Sequence, residues 1–390
     1  MFQPAASQDS LAEARADKPA SPRRAFFGSV ALGVVNCGRI GLQTVVLPIV
    51  ARMLGPGAFG LVALAMPFIL FATMLSDGGM GAALVRRSGV SREVESTVFW
   101  LSVGMGVAVA ALVCAVAPLA ARLMRQPELT YVIFALAPIL ILSSGLSPAN
   151  ARISRSRNFA LFAVGDFLSI IFSSAAAILA AVSGLGAWSL VIQQLVLWCV
   201  KAAWVLPASG FRPALVCRPS LVKDLLAFGL NNVGANIADF LGKSAPALVI
   251  GAELGVFAVG RYSMAYQLVR VPDLVISGPL FLATFTAVAA LAANVAGSAQ
   301  LSLRTLRLVV TALAPTFCGL ALVADLAVGV FLGPKWHGAG PALAALAPAG
   351  FFLCLYSTIG AVLMGLGRSD LQFRLSAVCG FGMLGGAVLG

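Results

Sequence analysis

Two sets of polar residues, 200 positions apart, carry most of the chemistry open to this chain. Asn36, Arg39 and Gln43 correspond to Asn236, Asp239 and Lys243. Spacings of three and four place each triplet on one face of a helix, and both triplets sit inside apolar runs. Polar and ionised groups in such surroundings face a bundle interior or a watery path, where guanidinium, ammonium and amide groups can hold an anion or a row of hydroxyls. Arg270, with Asp273 three residues on, adds another cation to this set. Asp77, Asp166 and Asp325 are the acids placed to carry a proton or a cation, with a structural ion pair as the alternative for each. Lys243 follows Asp239 by four residues, so an intrahelical pair competes with ligand binding there. Arg39 has no acid within a turn on its own helix and reads as a cavity residue, while Arg261 is placed to snorkel toward an interface.

Enzymatic chemistry finds little support, and no cofactor or metal is expected. The seven cysteines have no CxxC spacing and fall mostly in apolar runs, as small packing residues do. The single histidine, His337, stands beside Lys335 and Trp336 in a short loop and reads as an interfacial anchor. No Gly-rich loop ending in Lys-Ser/Thr is present. Loops are too short to build an active site in water.

The elements that must position these residues are membrane-spanning helices. Hydrophobic residues make up 60% of the 390 and charged residues 10%, against roughly a quarter charged in soluble domains. Eleven apolar stretches have the length needed to cross about 30 Å of hydrocarbon. Six run 26–50, 58–75, 97–119, 129–146, 159–182 and 187–206; five run 225–250, 256–280, 306–331, 341–363 and 371–390. The second is expected to continue past Asp77 toward Val85, and the eighth toward Ala293. Residues 1–25 read as a disordered cytoplasmic tail, 26–207 as a six-helix lobe, 208–223 as a cytoplasmic linker and 224–390 as a second lobe. The repeat register continues through Leu54, Gly55, Ala58, Gly60 and Ala65, which match Leu254, Gly255, Ala258, Gly260 and Ala265. The predicted fold class is an all-α integral membrane bundle of 11–12 helices, two six-helix parallel repeats around a central cavity. The chain stops inside an apolar run, Val378–Gly390, so the repeat predicts at least one further helix in the complete gene product.

Basic residues alternate between ends. With a cytoplasmic N-terminus, that side holds 17 Lys and Arg in six clusters and the other side only Arg52, Arg122, Arg125 and Lys335, the bias expected of a cytoplasmic face. The formal charge of +12 is then an orientation and headgroup signal. It does not call for nucleic acid.

The stretch Val45–Arg87, with its LGPGAFG turn and DGGMGAALVRR run, resembles Wzx-type polysaccharide flippases of the multidrug/oligosaccharidyl-lipid/polysaccharide exporter superfamily. Further matches are LGVFAVGRYSMAYQLVRVP at Leu254–Pro272, LGPKW at Leu332–Trp336 and GRSD at Gly367–Asp370. The resemblance implies a transporter, not an enzyme, that moves undecaprenyl-pyrophosphate-linked oligosaccharide from the cytoplasmic to the periplasmic leaflet of the bacterial inner membrane by alternating access. It implies lipid-linked oligosaccharide and membrane lipids as partners, with a polysaccharide polymerase and chain-length regulator alongside. Relatives often carry an acid where this chain has Pro246. The alternatives are a cation-coupled multidrug exporter of the same superfamily and, less favoured, a membrane glycosyltransferase or polymerase.

Overall fold

A computed structural model of the chain describes residues 22–86, 90–155, 159–211, 213–214, 240, 244–291, 294–368, 370–372, 374–376 and 378. All regular structure among them is helical. In chain order the first half comprises α1 (Pro22–Leu54), α2 (Pro56–Asp77), α3 (Met80–Arg86), α4 (Arg92–Leu123), α5 (Glu128–Leu136), α6 (Pro138–Gly145), α7 (Ser147–Arg155), α8 (Phe159–Val182) and α9 (Trp188–Ala208). The second half comprises α10 (Ser244–Leu254), α11 (Val256–Pro272), a π-helical turn (Asp273–Ser277), α12 (Gly278–Ala290), α13 (Val295–Leu322), α14 (Ala324–Phe331), a 3-10 turn (Pro334–Trp336) and α15 (Ala339–Gly365).

Among the described residues, seven helical stretches are long and apolar enough to cross a membrane, with α5 to α7 forming one of them. Their outward faces are large and apolar: Leu119 is 58% exposed, Leu179 68% and Leu322 87%. Such side chains belong against lipid, since the backbone behind them is hydrogen-bonded within its own helix. Small polar residues turn inward. Ser144 is fully buried and its hydroxyl bonds back to Leu140 O at 2.6 Å, which satisfies it without a partner on another helix.

Local sequence explains where the helices stop. Gly55 (φ 91°, ψ 175°) separates α1 from α2 in a region open only to glycine, and Pro56 then starts α2 at the position where a missing N–H costs nothing. The expected continuation past Asp77 is interrupted: Gly78 and Gly79 both have positive φ, Gly78 N–H caps Leu75 O, and the chain restarts as α3. Ser91 caps α4, its Oγ accepting from Val94 N, with Glu93 and Glu95 in the favourable first turn. The eighth expected span reaches Ala290 but with a π-helical turn inside it. The ninth starts eleven residues earlier than expected, at Val295, and breaks at Val323.

The two ends of the proposed domain scheme also shift. Helix α1 begins at Pro22, inside the segment read as a tail, while residues 1–21 lie outside the described part. The start of the expected linker packs on the first half: Phe211 is 5% exposed, Trp100 Nε1 donates to Ala214 O and Ala214 N to Ser96 Oγ.

Within the first half α8 packs on α1 and α9, and α4 on α2 and α6; within the second, α15 collects α11, α12, α13 and α14. The halves meet where α2 crosses α11. That crossing is symmetric. A Cβ on Gly60 would overlap the carbonyl oxygen of Val256 and stand 3.0 Å from Gly260 N, while a Cβ on Gly260 would overlap the oxygen of Pro56 and stand 3.1 Å from Gly60 N. Residues 56 and 60 thus meet 256 and 260, their own repeat partners, backbone against backbone, as small residues allow in membrane helices.

Candidate functional site: a cavity between the halves

Below this crossing the halves diverge and leave a cavity of about 820 Å³. From α2 it is lined by Leu70, Thr73, Met74 and Asp77, and from α11 and the π turn by Tyr266, Val269, Arg270 and Asp273. Each set follows the three- and four-residue spacing of one helical face. The register of 200 holds here too: Leu70 and Thr73 occupy the positions of Arg270 and Asp273. Repeat geometry therefore sets the two walls; the first half contributes the acid Asp77, and the second contributes Arg270 and Asp273. α15 closes the floor with Tyr356 and Ser357, and Phe240, Ser244, Phe281 and Gln372 complete it.

Asp273 owes its place to a break. Pro272 lacks an N–H, the helix widens into the π turn beginning at Asp273, and such turns re-aim side chains within a helix. The carboxylate accepts from Cys354 Sγ at 3.5 Å. Behind it, Gly350 lets α15 approach so closely that a Cβ would stand 2.7 Å from the Phe317 ring. Arg270 is exposed to the cavity with its guanidinium 5.9 Å from the Tyr266 ring centroid, and Tyr266 stacks on Tyr262 at 6.1 Å and 11°. This ladder at i, i+4, i+8 restrains a side chain that would otherwise sweep a large volume. Tyr356 OH shares a 2.7 Å hydrogen bond with Ser376 Oγ, and among the described residues the buried Gln372 Oε1 has no hydrogen-bond donor.

Of the residues singled out by sequence, Arg270 and Asp77 are on this cavity. Asn236, Asp239 and Lys243 lie outside the described residues, although Phe240 and Ser244 beside them are on its wall. Arg39 sits half-buried on α1, Gln43 is exposed on the same helix, and neither lines the cavity. Asn36 lies on α1 with its side chain outside the described set. Asp166 is ion-paired with Lys201 at 2.8 Å between α8 and α9, and Lys201 also stands 5.7 Å from the Trp198 ring; the structural alternative fits this pair. Asp325 is exposed at the start of α14, away from the cavity, against Gly340.

At the opposite end His337, read as an interfacial anchor, is exposed, while Trp336 beside it is fully buried, edge-on to Phe59 at 5.4 Å. Arg261 is half-buried there, with its guanidinium packed over Gly338 and its Nε buried. Sequence reading missed Tyr266, Tyr356 and Gln372 as wall residues; Asp273, named there only as the neighbour of Arg270, is on the wall as well.

Comparison with known proteins agrees with this architecture. Residues 49–341 match the family model described as "Polysaccharide biosynthesis protein". The succinoglycan biosynthesis transport protein ExoT of Rhizobium meliloti is 29% identical over 336 residues, 86% of this chain and 68% of that protein. The teichuronic acid biosynthesis protein TuaB of Bacillus subtilis is 26% identical over 306 residues, 78% of this chain and 63% of that protein. The chain thus spans about two thirds of the length of these relatives. Among solved structures, the lipid II flippase MurJ in an inward closed conformation superposes with a TM-score of 0.72 at 12% identity, covering 91% of this chain and 79% of that one. An inward-facing multidrug resistance transporter of the MATE family gives 0.62 at 16% identity, with 88% and 87% covered. These likenesses are of fold, a two-lobed helical bundle. With the family model spanning most of its length, the chain belongs to the polysaccharide biosynthesis protein family.

Proposed function

We propose that this protein is a flippase that carries lipid-linked oligosaccharide across the bacterial inner membrane by alternating access, without changing its covalent structure. The observation that carries this is the cavity itself: polar and charged, walled by repeat-related helices, and closed at one end by the Gly60–Gly260 crossing. A pyrophosphate bearing sugars cannot cross hydrocarbon unaided, because each desolvated polar group costs several kcal/mol. Arg270 supplies a fork of donors for phosphate oxygens. Tyr356, Ser357, Gln372 and Thr73 offer hydroxyl and amide groups to sugars. Lys243, Asp239 and Asn236 belong to the same wall in this reading, and Arg39, Asn36 and Gln43 to the path the headgroup takes. The N-terminus is cytoplasmic, so the crossing closes the periplasmic end. Polysaccharide polymerase and chain-length regulator act on the delivered glycan. The relatives support this cargo through their names, succinoglycan and teichuronic acid biosynthesis.

A second reading, a cation-coupled exporter of cationic drugs, is favoured by one specific observation. Among the described residues the cavity holds two acids, Asp77 and Asp273, against the single cation Arg270. Reconstitution separates the two. Proteoliposomes loaded with undecaprenyl-pyrophosphate oligosaccharide on one leaflet should deliver it to a lectin on the other, with loss in Arg270→Ala. Transport of a fluorescent cation, abolished by Asp77→Asn and indifferent to Arg270→Ala, would reverse the assignment. A changed glycan mass would mean an enzyme.

A further inference from the structure

Two turns of the same sequence meet at the closed end, Leu54-Gly55-Pro56 and Leu332-Gly333-Pro334. Gly55 and Gly333 share one glycine-only conformation (φ 91°, ψ 175° and φ 87°, ψ −178°). Each turn ends a helix, α1 or α14, whose last carbonyls have no partner within that helix. The basic residue beside each turn serves the other helix. Arg52 Nε donates to Phe331 O at 3.2 Å and its terminal nitrogen to Val330 O, while Lys335 Nζ donates to Met53 O at 2.7 Å. Trp336 Nε1 donates to Ala51 O at 2.9 Å in the buried centre. The aliphatic stems cross in the same way: Lys335 Cδ lies over Gly55 and Arg52 Cγ over Gly333.

We propose that this exchange of helix C-caps is a latch that holds the closed end shut and parts when that end opens. Its chemistry suits a reversible contact. The donors reach backbone carbonyls at the negative ends of two helices, so no buried carboxylate is stranded when they leave. Arg52 and Lys335 are exposed at the rim, where water takes over both donor and acceptor as the bonds break. Of the three donors only Trp336, at 0% exposure, has to leave a dry site. A permanent structural joint would bury its charges and pair them. This one leaves them at the water boundary. The inference rests on the alternating-access reading only in naming this end as one that opens.

The test uses the full chain in nanodiscs, where both faces are accessible and neither orientation nor cargo matters. Phe59 is 7% exposed beneath Trp336, so Phe59→Cys reports parting of the seam through its rate of maleimide labelling above the native-cysteine background. Adding Arg52→Gln and Lys335→Gln should raise that rate about ten-fold or more, the shift expected from losing three rim-exposed charge-assisted bonds in one state only. Labelling of Ser183→Cys, exposed throughout, should stay constant. Trp336→Phe, which keeps a buried ring and loses one bond, should raise the Phe59→Cys rate about three-fold. An unchanged Phe59→Cys rate in the double variant overturns the latch; where that variant fails to fold, an unchanged rate in Trp336→Phe does so. Faster labelling in a protein that flips no oligosaccharide would leave the latch standing and remove the cargo assignment.

Discussion

Alanine at Gly60 is the most direct test of how the halves fit. The new methyl carbon would overlap the Val256 carbonyl oxygen and stand 2.9 Å from its carbon, whereas relaxed carbon contacts lie near 3.5–4.0 Å. The obstacle is backbone on a packed helix and cannot rotate away, so α2 and α11 must separate by roughly 1 Å along the crossing. Overpacking of this kind costs about 1–3 kcal/mol. Gly260→Ala meets Pro56 in the same way, with a Cβ 2.8 Å from that carbonyl carbon, and should cost about the same. Because both methyls demand the same separation, the double variant should be sub-additive, with a coupling of about 1 kcal/mol or more. Gly104 on α4 and Gly319 on α13 have nothing within 4 Å of the added methyl, so alanine there should be neutral or stabilising by about 0.5–1 kcal/mol. The measurement is thermal unfolding of detergent-purified protein, in which 2 kcal/mol corresponds to roughly 4–8 °C in larger domains. Gly60→Ala and Gly260→Ala that melt like Gly104→Ala, or that add without coupling, would refute the backbone-on-backbone crossing.

Other outcomes follow from the cavity and the first half. Tyr266→Phe should keep flipping near wild type and Tyr266→Leu should reduce it several-fold, because the ring under Arg270 matters and the hydroxyl does not; equal loss in both would show otherwise. Arg270→Lys should restore only part of the activity lost in Arg270→Ala, since a point charge lacks the guanidinium fork. Lys201→Met and Asp166→Asn should each lower the melting temperature, because each strands the partner's charge within a membrane-spanning pair; transport that survives both would exclude Asp166 from ion coupling. Alanine at Gly333 should impair expression or lower the melting temperature, because its φ of 87° with ψ near 180° excludes a Cβ.

Much of the scaffold was legible because membrane helices are written in length and polarity. The runs at 97–119, 159–182 and 187–206 each became a helix, and LGPGAFG and LGVFAVG, legible as a repeat, form the two sides of the crossing. What could not be read was where a helix bends without ending. Pro272 marks a weak point in its helix, but neither hydropathy nor periodicity tells that the answer is a π turn there or a break at Val323, because neither registers a change of hydrogen-bond partner. Trp336 escaped for a related reason. A Trp beside Lys and His in a short loop looks like an interface anchor, and only the tertiary contact with Ala51 and Phe59 shows that it is a plug.

The cavity shows how a duplicated scaffold acquires direction. At equivalent positions the first half presents Leu70 and Thr73 and the second presents Arg270 and Asp273, so a symmetric frame carries an asymmetric field. Among the described residues the cavity's one cation, Arg270, stands on the second wall beside Asp273, and the first wall carries only the acid Asp77. The π turn sharpens this asymmetry, since it belongs to the second half alone: α2 passes Thr73 as regular helix, whereas the equivalent Asp273 opens the widened turn. Shape is therefore inherited from the repeat, and binding chemistry from its divergence. Arg270→Leu with Leu70→Arg tests this division, because it moves the cation to the other wall of the same cavity. If shape alone governed transport, the swap would restore the flipping lost in Arg270→Leu. With Asp273, Tyr266 and Tyr262 all left behind on α11 and its π turn, the relocated arginine has neither its ring support nor its neighbouring acid, and the expected result is a folded protein that remains inactive.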